Sequence, residues 1–174
     1  RKIAHFSAGI VIGSFPFLFT SGYWPTLLPL GFLLLLVLTH ESEIFHGFAQ
    51  KGRLSEVYFA LSVAIVIAAT YAYSPWIAIS SCLFLAFGDG ITGLIRTLVY
   101  HREVKGWWGS LVMFLVCVLI GILAVGWKVG IPGAIAATLI ERWSKVDDNL
   151  TVPLVSAALM GFISILLNSV LSSL

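Results

Sequence analysis

Residues 75–99 read PWIAISSCLFLAFGDGITGLIRTLV, and the acid at Asp89 decides what kind of chain this is. The run is long enough to cross a bilayer as a helix, which takes about 20 mostly apolar residues. It shows none of the short period-2 alternation of a barrel strand, so the backbone must close its own hydrogen bonds as a helix. A carboxylate at the centre of such a helix costs about 2.5–3.5 kcal/mol, a cost hard to explain unless the acid faces a polar cavity. Asp89, Gly93 and Arg96 stand at i, i+4 and i+7, on a single face. Gly88, Gly90 and Gly93 remove side chains around the acid, so that a bulky ligand or a neighbouring backbone can approach. These features describe a cation or phosphate site at a membrane surface; the plainer alternative is an Asp89–Arg96 ion pair that locks two helices. The same residues spell G-x-G-x-x-G, but a dinucleotide fold needs a strand before it and an acid about 20 residues on, and here the motif lies within a spanning run.

Working outward, the rest of the chain repeats this pattern. Apolar runs occur at about 3–21, 24–40, 57–73, 75–99, 109–126, 129–144 and 150–173, the sixth being short and interrupted by Pro132. The 174 residues are 59% hydrophobic and only 10% charged, against about 25% charged in a soluble domain. The expected fold is all-α: one polytopic membrane bundle of about seven transmembrane helices, with residues 1–174 as a single domain. Cys82 and Cys117 lie inside apolar runs and read as small buried hydrophobes. A net charge of +2 gives no reason to expect a nucleic-acid partner. The first run is long, contains Pro16 and lacks a convincing small-residue cleavage site, so it reads as a permanent helix.

The charges fall in or beside every second gap. All eight carboxylates (Glu41, Glu43, Glu56, Asp89, Glu103, Glu141, Asp147 and Asp148) belong to that set, as do all Lys and Arg residues except Lys128. Short loops rich in Lys and Arg stay in the cytoplasm, which puts the N-terminus and the acidic face on the cytoplasmic side. Trp24, Trp76 and Trp127 fall at the opposite ends of the runs, where aromatic belts sit.

Four stretches on the charged side carry candidate chemistry. Lys2, His5 and Gly9 share a helix face near the N-terminus, a pattern that also fits an ordinary positive anchor. His40-x-x-Glu43-x-x-His46 has the Glu-x-x-His spacing of di-metal bundles but no second copy, so a polar juxtamembrane segment is the default. The stretch around Asp89 is the third. The fourth pairs Lys105-Gly106-Trp107-Trp108-Gly109-Ser110 with Glu141-Arg142-x-x-Lys145-x-Asp147-Asp148-Asn149-Leu150-Thr151-x-Pro153. The first member places a cation, glycines and a hydroxyl before a helix, whose initial N–H groups suit phosphate oxygens. The second gathers hard oxygen ligands of the kind that suit Mg²⁺, which takes one or two carboxylates and completes its shell with water and phosphate oxygens. Glu141, Lys145 and Asp148 share a face if the helix persists through them. A solvated loop is the alternative.

The ordered set Arg1-Lys2-x-x-His5, Gly88-Asp89-Gly90, Lys105 with Gly109-Ser110, and Glu141…Asp148-Asn149…Pro153 resembles the CTP-dependent lipid-alcohol kinases: dolichol kinase, phytol and farnesol kinases, and the fungal-type diacylglycerol kinase. The resemblance runs from residue 1 to about residue 155. Many relatives carry a Glu before the Gly-Ser where this chain has Trp108, which puts in doubt a fourth carboxylate unless Glu103 or Glu141 takes its role.

The resemblance implies phosphoryl transfer from CTP to the hydroxyl of a membrane lipid alcohol of polyprenol or dolichol type, giving a lipid monophosphate and CDP with Mg²⁺ as cofactor. It implies that Asp89 and Asp148 hold the metal, or that one of them orients the hydroxyl, and that Glu141 supports the metal. Lys105, Arg96 and Lys145 would neutralise the triphosphate with the help of N–H groups near Gly109 and Ser110. Asn149 would read the nucleotide or hold a metal water, and Lys2 and His5 would close the site. Two other classes compete: a CTP-using cytidylyltransferase that makes a CDP-activated lipid, and a small membrane transporter. Transport predicts polar residues through the midplane, whereas here the ends opposite the acids are nearly free of charge.

Overall fold

The computed structural model describes residues 2–39, 54–100 and 106–173, with the backbone alone at 2–4, 96–97 and 99–100. Every regular element among them is helical. In chain order they are α1 (Lys2–Leu18), α2 (Tyr23–Thr39), α3 (Ser55–Thr70), α4 (Pro75–Leu83), a π-helical segment (Phe84–Asp89), α5 (Gly90–Tyr100), α6 (Trp107–Val125), α7 (Trp127–Trp143) and α8 (Asp148–Ser172). α4, the π segment and α5 run on as one rod, and each of the seven apolar runs read from the sequence lies on one helix or rod. Three stretches are long and apolar enough to cross a membrane: Pro75–Ile95, Trp107–Val125 and Asp148–Ser172. Three shorter apolar helices, His5–Leu18, Tyr23–Thr39 and Ser55–Thr70, accompany them.

The rod of α4, the π segment and α5 is the centre. α1, α6, α7 and α8 all pack on the π segment, while α3 packs on α4 and carries α2 on its outer side. The core that results is lined by Ile12, Phe15, Phe59, Ile67, Phe84 and Met160, among others. α6 and α7 form the tightest pair. A Cβ on Gly130 would lie 2.3 Å from the Gly121 carbonyl carbon, so only hydrogen at both positions permits this crossing. The turn between the two helices is Gly126, whose φ of 80° is costly for a residue with a side chain.

Prolines inside the helices free carbonyls that must be satisfied elsewhere in an apolar medium. Pro153 has no N–H to give the carbonyl four residues back. That carbonyl belongs to Asn149, and the Ser62 hydroxyl of α3 donates to it at 2.6 Å. At the start of α4, Ser74 caps the helix by accepting from the Ile77 amide at 3.4 Å, with Pro75 following as the first helical residue.

Two contacts tie together the ends of the helices remote from the acids. The Tyr71 hydroxyl donates to the Phe19 carbonyl at 3.1 Å, and the Phe17 and Trp76 rings meet edge to face with centroids 5.6 Å apart. α1, α3 and the central rod are thus registered at that end, and their other ends must meet at the opposite one.

Candidate functional site

At that opposite end the first turn of α8 acts as a junction. Asp147 caps α8, its Oδ1 accepting from the Asn149 amide at 2.9 Å. Its Oδ2 accepts from the Ser55 hydroxyl of α3 at 2.8 Å. The Asn149 side-chain Nδ2 donates to the Ser55 carbonyl at 3.0 Å. This fixes Oδ1 as the atom facing His5 of α1, 3.3 Å from its Nε2. An amide oxygen can only accept, so His5 Nε2 carries the proton. The His5 ring also lies against Phe59 of α3, centroids 5.0 Å apart. His5 and Asn149 are 4% exposed. The structure therefore brings both predicted residues together, bonded to each other and to α3 as a buried brace.

The central rod reaches this level through the π segment. Gly88 is turned to α6, where an added Cβ would sit 3.1 Å from Cys117 Sγ, and Gly90 to α1, where it would sit 3.2 Å from the Phe6 ring. The sequence reading left room at these glycines for a bulky ligand or a backbone; side chains of α6 and α1 take that room instead. Leu94 and Leu98 mark the outward face, at 54% and 63% exposed. Asp89 stands between the two glycine directions and away from that face, which points it into the bundle, 8% exposed. The acid is not set against lipid. It is the last residue of a π segment, a wide turn found frequently at functional sites in helices. Beyond it Gly93 and Arg96 follow on regular α-helix, so the single face read from the spacing holds along the backbone.

α6 and α7 supply the other wall. The Thr92 hydroxyl donates to the Gly109 carbonyl at 3.3 Å, and Arg142 Nη1 donates to the Ser110 hydroxyl at 3.1 Å. The Arg142 guanidinium lies 4.0 Å over the Trp107 ring, a stacking that holds its planar fork in place. Glu141, one residue deeper on α7, is 0% exposed. With a rise of about 1.5 Å per residue, three residues separate Asp89 from Thr92 and one separates Glu141 from Arg142. Asp89 and Glu141 therefore lie within about one helical turn of the same depth. Trp108 is 58% exposed and lies on the outside of the bundle.

Not every expectation holds. α7 ends at Trp143 and Ser144 turns extended, with ψ 137°, before α8 starts at Asp148. The helix does not persist through 141–148, and Glu141, Lys145 and Asp148 do not share a face. Lys145 is exposed in the connection and Asp148 is half-buried in the first turn of α8. Lys105, Glu103, and the His40, Glu43 and His46 stretch lie outside the described residues, and for Lys2 and Arg96 only the backbone course is described. Sequence reasoning missed Ser55 and Ser62, and it quoted Arg142 and Asp147 within the fourth stretch without a role of their own. Asp147 was legible, since an Asp just before an apolar run is a helix-start signal; the partners of the other three are tertiary.

Among the described residues no group of three or more His, Cys, Asp and Glu side chains could close around an ion. A preformed three-carboxylate centre is therefore not among them. A Mg²⁺ that takes only one or two carboxylates and completes its shell with water and phosphate oxygens would not need such a centre. Comparison of the chain with family models, with curated proteins and with solved structures returned no match.

Proposed function

We propose that the charged end of the bundle is the catalytic face of a CTP-dependent kinase for a membrane lipid alcohol. One observation carries the reading: Asp89, Glu141, Ser110, Asn149 and His5, separated along the chain by up to 144 residues, belong to one end of the helices. Two of them are carboxylates buried in an apolar bundle, and such groups are costly unless they serve a site. The transferred phosphoryl group needs mainly positioning and charge neutralisation. The alcohol oxygen forms the new bond to the γ-phosphorus, the bond from that phosphorus to CDP breaks, and the hydroxyl proton leaves to a carboxylate.

In this reading Asp89 and Asp148 hold Mg²⁺ or one of them orients the hydroxyl, and Glu141 supports the metal, which supplies charge neutralisation when bound. Lys105, Arg96 and Lys145 would neutralise the triphosphate, helped by the N–H groups near Gly109 and Ser110 in the first turn of α6. His5 and Asn149 act as a brace that holds α1, α3 and α8 in register. Seven membrane passes with the N-terminus and this face on the cytoplasmic side complete the proposal.

The test is purified protein with Mg²⁺, γ-labelled CTP and a panel of polyprenols, phytol and diacylglycerol. Label should appear in a lipid monophosphate. Release of pyrophosphate with a CDP-lipid would mark a cytidylyltransferase instead, and no lipid product with any alcohol would discard the kinase. Asp89→Asn should lower turnover by about 10²–10⁴-fold in protein that still elutes as a folded monodisperse species.

A further inference from the structure

One carboxylate outside the assigned set has an oxygen with no hydrogen-bond partner among the described residues. Glu56 sits in the first turn of α3, and its Oε2 is buried and meets no hydrogen-bond donor among the described residues. A buried acceptor left unsatisfied carries the full cost of its desolvation, more for a charged group than for a neutral one. Its neighbour Ser55 is already bonded to Asp147 and Asn149, so Glu56 is next to the brace but is not used by it.

Helical spacing gives its direction. Glu56, Phe59 and Val63 stand at i, i+3 and i+7, on one face. Phe59 and Val63 are buried, and Phe59 lies against the His5 ring of α1. Glu56 therefore stands on the α1 side of α3, one turn nearer the charged end than Phe59. The residue is half-buried with its Oε2 turned inward, and the lipid-kinase reading supplies a donor of the right kind, the hydroxyl of an alcohol carried on an apolar tail.

We propose that Glu56 is a binding residue for the substrate alcohol, its Oε2 accepting the O–H of a long-chain alcohol whose tail lies in the membrane. The proposal rests on the lipid-kinase reading for the identity of the ligand, but it concerns binding and not transfer. It adds an acceptor on α3 to residues otherwise drawn from α1, the central rod, α6, α7 and α8.

The experiment measures binding of tritiated geranylgeraniol, and of its methyl ether, to the full chain in nanodiscs without nucleotide. The ether keeps the tail and loses the donor. The unsubstituted protein should prefer the alcohol by about tenfold or more. Glu56→Ala should erase that preference, and Glu56→Gln, which keeps an acceptor oxygen, should retain part of it. CTP binding in the presence of Mg²⁺ should change by less than about twofold in both variants. Equal binding of alcohol and ether by the unsubstituted protein, or a preference that survives in folded Glu56→Ala, would overturn the proposal. Thermal stability adds an independent readout. Glu56→Leu should raise the melting temperature of the ligand-free protein, because it removes an unsatisfied buried charge; a lowered one would mean that the carboxylate already has a structural partner. Should the chain discriminate alcohol from ether yet transfer no phosphate from CTP, the kinase reading fails while this inference stands.

Discussion

The central rod and α6 are both long apolar helices, yet one is enclosed by protein and the other is largely exposed. In the most apolar 18-residue window of Pro75–Ile95, 72% of residues are buried in protein, against 28% for Trp107–Val125, and the mean hydropathies are 1.6 and 2.6. The rod carries Ser80, Ser81, Asp89 and Thr92, all buried. α6 turns Leu111, Leu115, Leu119 and Leu123 outward and places Ser110 at its start, where Arg142 can reach it. The less apolar helix is the more buried one, because protein neighbours can satisfy polar groups and lipid cannot. Hydropathy therefore ranks these two helices by how much of their surface lies on the outside of the bundle.

The largest effect that would break this comparison is an acid moved from one helix to the other. Leu119 lies near the middle of α6 and is 61% exposed. Leu119→Asp should cost about 3–4 kcal/mol of insertion free energy and collapse the yield of membrane-integrated protein, whereas Asp89 stands inside the bundle, 8% exposed. Integration of Leu119→Asp at the native level would show that α6 does not face lipid.

A smaller effect sharpens the comparison through the glycines of each region. Gly130→Val on the α6–α7 seam drives a branched side chain into backbone and should destabilise by about 2 kcal/mol or more, lowering the midpoint of thermal unfolding in detergent. Gly88→Ala on the rod meets Cys117 Sγ at 3.1 Å and Met113 Cγ at 3.4 Å. Those side chains can shift by a few tenths of an ångström, so the cost there should stay below about 1 kcal/mol. The reverse order would show that the rod, and not the hairpin, is the more tightly packed element.

The smallest effect is a coupling. Ser62→Ala leaves the Asn149 carbonyl without its donor and should cost about 1–2 kcal/mol. Pro153→Ala restores the backbone N–H that this carbonyl lacks. The double variant should then be less destabilised than the sum of the two singles, by about 0.5–1 kcal/mol in a double-mutant cycle. Strict additivity would mean that the Ser62 hydrogen bond is not what stands in for the missing amide.

Much of the architecture was legible before any coordinates. The apolar runs lie on the observed helices, because an apolar medium leaves a chain little other way to satisfy its backbone. The gathering of acids at alternate gaps foretold that Asp89, Glu141, Ser110, His5 and Asn149 would meet at one end, because successive helices alternate in direction. Asp89 lies in the middle of an apolar run, and its burial in the bundle interior follows from the cost of a charge in lipid.

The remainder depended on contacts between residues far apart in sequence. Asp89 is central in its run but near the end of the bundle, because α5 continues past the start of α6; only the Thr92–Gly109 contact reveals the offset. The π turn at Phe84–Asp89 has no signature in residue type. Glu141 and Asp148 were read onto a common face that the break at Ser144 removes. His5 and Asn149 read as ligand-binding groups, and the structure bonds them to each other, while Glu56, one of eight acids with nothing to distinguish it in the sequence, has a buried oxygen without a donor among the described residues. Composition and periodicity determine which residues must leave lipid, since that cost belongs to each residue alone. Which partner each finds on arrival is a property of pairs, and tertiary packing alone decides it.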